Sequence, residues 1–188
     1  FAESLYKKIL KINPNHLESM FFLGTLSAQT KKFNEAKQLL NKVIEIQPHN
    51  KDAHNNLGNV LKELGEFQKA ISCYQKVLQI DPDFIFAHDN LGTVFKELGE
   101  LEKSIICYQK AIKIQPNYVA AHNNLGIIYK ELGEYQKAIN CYKKAIQINL
   151  NYADAHNNLG ILYKELGKYT EAFFRYQKAI FINPNHIN

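Results

Sequence analysis

"AHNNLG" stands at residues 53–58, 121–126 and 155–160, and "AHDNLG" at 87–92, so four near-copies begin 34 residues apart. A fixed period of this length marks a chain built from stacked structural repeats. Cutting at that period gives five full units, 17–50, 51–84, 85–118, 119–152 and 153–186. Residues 1–16 match only the second half of a unit, and 187–188 would start another. Nothing between the units has the composition of a linker, so the whole of 1–188 is expected to form one domain.

Each unit holds two helical patterns and two short breaks. In 51–84, His54, Leu57, Gly58 and Leu61 fall at i, i+3, i+4 and i+7, one face of a helix. Gly65 follows where a left-handed residue ends a helix cheaply. Phe67, Ala70, Ile71, Tyr74, Val77 and Leu78 continue at helical spacing until Asp81-Pro82 stops them. Gly58 and Ala70 lack bulk, which predicts a close approach of the two helices at that pair.

These residues resemble the tetratricopeptide repeat over the whole chain. At its Leu-Gly positions stand Leu23-Gly24, Leu57-Gly58, Leu91-Gly92, Leu125-Gly126 and Leu159-Gly160. At its small second-helix position are Ala2, Ala36, Ala70, Ser104, Ala138 and Ala172. Its proline appears as Pro14, Pro48, Pro82, Pro116 and Pro184, with Leu150 the exception, so that turn is expected to be less tightly specified. The resemblance implies an all-α fold, a right-handed α-solenoid of antiparallel helix pairs whose first helices line a concave groove. Without polar capping helices, the ends are expected to be apolar and prone to self-association. An opening without Met, in the middle of a unit, reads as part of a longer chain.

The net charge of +5 comes from 23 basic against 18 acidic residues, interleaved along the chain, so nucleic acid is not the expected partner. No apolar run approaches the roughly 18 residues that cross a bilayer, and no membrane partner is expected. Cys73, Cys107 and Cys141 are 34 apart, with no CxxC, which fits a reducing, cytoplasmic setting better than a disulfide framework.

Four recurrent histidines, His54, His88, His122 and His156, invite a metal reading. Stacked repeats advance by roughly 10 Å, whereas zinc draws its ligands to about 2 Å from one point. Packing is therefore the expected role, and no metal or other cofactor is expected. The cysteines, equally far apart, read as small half-buried fillers. Phe67, Phe95, Tyr129, Tyr135, Tyr163 and Tyr169 fall at packing positions. No phosphate loop, HExxH or nucleophile elbow is present, and the chain reads as a non-enzyme.

The asparagines lie elsewhere. With His54 at 0° and a step of 100° per residue, Asn55, Asn56, Asn59 and Lys62 fall at about 100°, 200°, 140° and 80°, away from the apolar stripe. The family architecture makes that side the groove. It would carry Asn55, Asn56, Asn59, Asn90, Asn123, Asn124, Asn157 and Asn158, beside Lys62, Lys96, Lys130 and Lys164. An amide both donates and accepts, so such a column can hold an extended peptide backbone with little regard to its side chains. Four net hydrogen bonds give only about 2–6 kcal/mol, against about 8 for micromolar affinity. Apolar help is expected from Phe21, Phe22, Phe86, Ile127 and Ile161.

The chaperone-tail clamp of the family requires cations that are absent here. The wording "NNLG…KELGE…A…CYQKA" is similar to the repeats of the O-linked N-acetylglucosamine transferase family and of related bacterial proteins, where an asparagine column grips polypeptides. The expected function is a protein-interaction scaffold for extended segments. The alternative is the substrate-recruiting arm of a larger glycosyl- or sulfotransferase.

Overall fold

The computed structural model describes residues 2–184. The expected start of a further repeat at 187–188 lies outside the described residues. Among the described residues there are eleven α-helices, in the order α1 (Ala2–Ile12), α2 (Leu17–Gln29), α3 (Phe33–Ile46), α4 (Lys51–Glu63), α5 (Phe67–Ile80), α6 (Ile85–Glu97), α7 (Leu101–Ile114), α8 (Val119–Glu131), α9 (Tyr135–Ile148), α10 (Ala153–Glu165) and α11 (Tyr169–Ile182). The even-numbered helices recur every 34 residues and are the first helices of the repeats; the others are the second helices. None is long and apolar enough to cross a membrane. Two compact units divide within α6, after Val94.

In the first unit α2 packs on α3, α3 on α4 and α4 on α5. Its fully buried residues include Leu40, Val43, Ala53, Val60, Tyr74 and Val77. In the second unit α7 packs on α8, α8 on α9, α9 on α10 and α10 on α11. There Ala138, Tyr142, Ala145, Leu159 and Leu162 form the core. Each unit is thus an all-helical solenoid segment.

Within α4 the expected stripe of His54, Leu57, Gly58 and Leu61 is buried, but so are Ala53 and Val60. These two occupy a second stripe: Ala53 joins Val43 of α3 and Met20 of α2 in one apolar cluster. A first helix is therefore wedged between its own second helix and the preceding one. Gly58 packs directly on the Tyr74 ring, since a Cβ on Gly58 would lie 2.5 Å from Tyr74 Cε1, and Ala70 is fully buried. Tyr135 and Tyr169, expected in the core, are 43% and 71% exposed; each is the first residue of its helix.

The turn inside each repeat closes by a Schellman pattern. After α4, Gly65 N–H donates to Lys62 O at 2.9 Å and Glu66 N–H to Leu61 O at 2.8 Å. Gly65, at φ +73°, supplies the left-handed residue. In the 17–50 repeat that position is Lys31, at φ 59°, with the same pair of bonds. A side chain there strains the backbone. Lys31→Gly is expected to raise stability by about 0.5–1 kcal/mol, the strain relieved less the entropy of a freer unfolded chain. Denaturant melts of the two forms check this; an unchanged or lower midpoint contradicts it.

Candidate peptide-binding face and its supporting hydrogen bonds

The recurrent histidines are turn latches. Nε2 of His54, His88 and His122 lies 2.9 Å from the carbonyl oxygens of Pro48, Pro82 and Pro116, and that of His156 lies 3.1 Å from Leu150 O. A carbonyl only accepts, so each ring donates from Nε2. The latch reaches back six residues to the inter-repeat turn, and it works with Leu150 as it does with proline. Tyr152 N–H still donates to Asn149 O at 3.1 Å, as Tyr118 N–H does to Gln115 O at 3.0 Å. The turn at Leu150 is as closely defined as its neighbours. The acceptor is a backbone atom, which explains why sequence alone could not reveal it.

His156 is 3% exposed and its Nδ1 has no hydrogen-bond partner among the described residues. Burial lowers its pKa below the usual histidine value, and the charges of Arg175 and Lys178 push the same way against the Leu150 hydrogen bond. The unfolded chain therefore takes up this proton more readily than the folded one. The stabilising contribution is whole above the ordinary histidine pKa and declines as pH falls through it towards the folded value. Melting temperature is expected to drop between about pH 7 and 5, with a shallower drop in His156→Gln. Equal slopes for both forms would remove His156 as the cause.

The cysteines are unreactive by environment: burial pushes Cys73, Cys107 and Cys141 up to about 11. Among the described residues no group of three or more His, Cys, Asp or Glu side chains could hold a metal ion.

Asn56, Asn90 and Asn158 bridge one first helix to the next. In the first unit Asn56 Nδ2 donates to Thr25 Oγ1 at 3.1 Å, and Thr25 Oγ1 donates to Phe21 O at 2.9 Å. Asn90 Nδ2 donates to Asn55 Oδ1 at 3.2 Å. In the second unit Asn158 Nδ2 donates to Asn123 Oδ1 at 3.0 Å. The second asparagine of one repeat thus donates to the first asparagine 35 positions earlier. Phe21 occupies that earlier position for Asn56, which turns to Thr25 instead.

This placement sorts the expected contact residues. Asn55, Asn56, Asn90, Asn124, Asn157 and Asn158 are half-buried, with part of each side chain at the surface. Asn123 is only 4% exposed, so its contribution is to receive Asn158 rather than to meet a partner. Asn59 accepts from the Tyr74 hydroxyl at 2.8 Å and braces α4 on α5. The Oδ1 atoms of Asn56, Asn90 and Asn158 make no hydrogen bond among the described residues. Each amide commits one of its two N–H donors inside the fold and keeps its acceptor.

Around the amides, Lys62 approaches Glu63 at 3.5 Å and Lys130 pairs with Glu165 at 2.7 Å, so local carboxylates offset these lysines. At the start of the first unit Phe22 is 48% exposed, stacked on Tyr6 at 5.9 Å and edge-on to Phe21 at 5.5 Å. Phe21 and Phe22 line a hollow of about 270 Å³ rimmed by Glu18, Gln47 and Asn50.

Family models described as TPR repeat or tetratricopeptide repeat match residues 2–55, 52–84, 92–133, 128–167 and 153–186. No curated protein sequence matches the chain. Among solved structures, the chain is similar to MamA at 27% identity and TM-score 0.74, over 86% of this chain and 95% of that one. PilF of Pseudomonas aeruginosa gives a TM-score of 0.81 at 22% identity, over 89% and 76%. YrrB, described as a TPR protein with an unusual peptide-binding site, gives 0.68 at 21%, over 96% and 93%.

Proposed function

Since the chain belongs to the tetratricopeptide repeat family, we propose that it is a non-enzymatic scaffold that binds extended polypeptide segments along the asparagine face of its first helices. The observation that carries this reading is the division of labour within the amides. Asn56, Asn90 and Asn158 have Nδ2 tied to a neighbouring helix, which fixes the rotamer and leaves Oδ1 as an oriented acceptor. An extended peptide presents N–H donors along its length, and a pre-oriented acceptor binds them without losing its own rotamer entropy. Lys62, Lys96, Lys130 and Lys164 would flank the segment. The exposed Phe22 ring, with Phe21 beside it, would add apolar contact that amides alone do not supply. YrrB, with its peptide-binding site, is an instance of this fold serving such a role. The same face would serve whether the protein acts alone or as the recruiting arm of a transferase.

The test is an N-methyl scan of a peptide selected from an array by the 188-residue chain. If backbone N–H groups are read, single N-methylations each weaken binding by about tenfold, the loss of roughly one hydrogen bond, while most side-chain swaps leave it intact. Asn90→Ala with Asn158→Ala should erase the effect of N-methylation at two sites. Binding that responds to side-chain changes and ignores N-methylation sinks the reading.

A further inference from the structure

The hollow of about 270 Å³ at the start of the first unit is lined by Leu17, Glu18, Phe21, Phe22, Gln47 and Asn50. It lies where a ring is missing. The place of Asn50 is taken by Phe84, Tyr118 and Tyr152 in the three repeats that follow, and all three are half-buried. Lys51, the counterpart of Leu17, holds its Nζ 5.2 Å over the Phe84 ring. In the 51–84 repeat the ring therefore stands beside the first residue of the first helix. Tyr152 packs against the core of the second unit.

Asn50 is turned the other way. Its Oδ1 accepts from Ala53 N–H at 2.9 Å and its Nδ2 donates to Gln47 Oε1 at 3.1 Å, which commits the amide to α4 and the turn before it. The same repeat carries Phe21 and Phe22 where the later repeats carry asparagine or Asp89. Two aromatic walls thus border a space that lacks the ring its neighbours supply from their own chain.

We propose that this hollow receives one aromatic side chain of the segment bound along the asparagine face, so that the partner supplies the ring that Asn50 does not. The ring site rests on the function proposed above and adds a residue preference to it. At about 270 Å³ the hollow is smaller than the roughly 300–1,000 Å³ of small-molecule sites, and it suits a single side chain. Phe22, 48% exposed, offers a partner ring the edge-on contact that Phe86 makes with Phe84 at 5.7 Å. Glu18 at the rim repels an acidic side chain. Phe22 also stands at the place of Asn56 and Asn90, in line with the amides of this unit. Neighbouring first helices lie about 10 Å apart, and an extended chain advances about 3.3 Å per residue. The aromatic residue therefore falls about three residues from the one whose N–H meets Asn56.

The test takes a peptide selected from an array by the 188-residue chain and reads its binding by fluorescence anisotropy. Changing its aromatic residue to Ala is expected to weaken binding by about tenfold or more. Asn50→Phe, the residue of the next repeat, should bind the aromatic peptide about as weakly as the Ala peptide, with helical circular dichroism unchanged. Should that variant fail to fold, Phe22→Asn, an exposed change, carries the same expectation. A selected peptide without an aromatic residue overturns the proposal. So does an aromatic preference that survives in both variants. If backbone N-methylation still weakens binding in either case, the asparagine reading stands and the ring site alone falls. If N-methylation has no effect but the preference is lost in Asn50→Phe, the asparagine reading falls and the ring site stands. Self-association of the chain that Asn50→Phe abolishes would give the hollow to a second copy and overturn the proposal. An array that yields no peptide overturns both readings.

Discussion

Replacing Gly58 with alanine is expected to destabilise the first unit by about 3 kcal/mol, at the top of the usual range for overpacking. The added Cβ would lie 2.5, 2.8 and 2.9 Å from Cε1, Cζ and Cδ1 of Tyr74. That ring is rigid and fully buried, so it cannot swing aside as a flexible chain would. Displacing it also breaks the 2.8 Å bond from its hydroxyl to Asn59. Against this, alanine is the better helix former by about 1 kcal/mol, which the clash must exceed. For a chain of this length the net shift in melting temperature is about 6–12 °C. Gly24 supplies the control. There the nearest atoms are Leu40 Cγ at 3.1 Å and Leu39 Cβ at 3.3 Å, and a leucine can yield a few tenths of an ångström. Gly24→Ala is expected within about 1 kcal/mol of neutral. Equal melting shifts for the two variants would mean that the Tyr74 ring moves freely.

Tyr74→Ala should cost about 3–5 kcal/mol, because it empties a site with no solvent access that neighbouring helices cannot close. Added to that background, Gly58→Ala should cost nothing further, since the atoms it struck are gone and its Cβ fills part of the void. The double variant therefore departs from additivity by about 3 kcal/mol, the upper end for residues in contact. Stability in a stacked-repeat chain is a sum of local terms. Hydrogen exchange should accordingly place both losses in α4 and α5 and leave α10 and α11 protected. Strict additivity would show that Tyr74 and Gly58 act separately.

The fold was legible because the period, the Leu-Gly pairs and the left-handed glycines are local signals that do not depend on neighbours. The histidines were readable as packing residues, but their partners were not, since a backbone carbonyl leaves no mark in the sequence. The wheel around His54 put Asn55, Asn56 and Asn59 together away from the apolar stripe, whereas Asn56 reaches Thr25 of α2 and Asn59 reaches Tyr74 of α5. It missed the stripe of Ala53 and Val60, because small residues give a weak apolar signal even where they are fully buried. It also could not separate Asn56, which retains an acceptor, from Asn59, which is spent on Tyr74. That difference depends on reach between helices, a quantity absent from any single-helix projection. The pairing of asparagines 35 positions apart was present as a spacing, though one residue off the repeat period and hence easily passed over.

The donor-to-acceptor rule between asparagines has a bearing on how such a chain can change length over generations. A gene that loses or copies a stretch of 34 codons keeps the 35-place spacing that joins Asn90 to Asn55 and Asn158 to Asn123. Losing 85–118, for example, would bring Asn124 into the place of Asn90, with Asn55 as its acceptor as before. An insertion or loss of any other length leaves one amide facing the wrong side chain. Phe21, which has no side-chain acceptor, ends the series. Copy number can therefore drift in whole repeats while the inner lattice of amides is inherited intact.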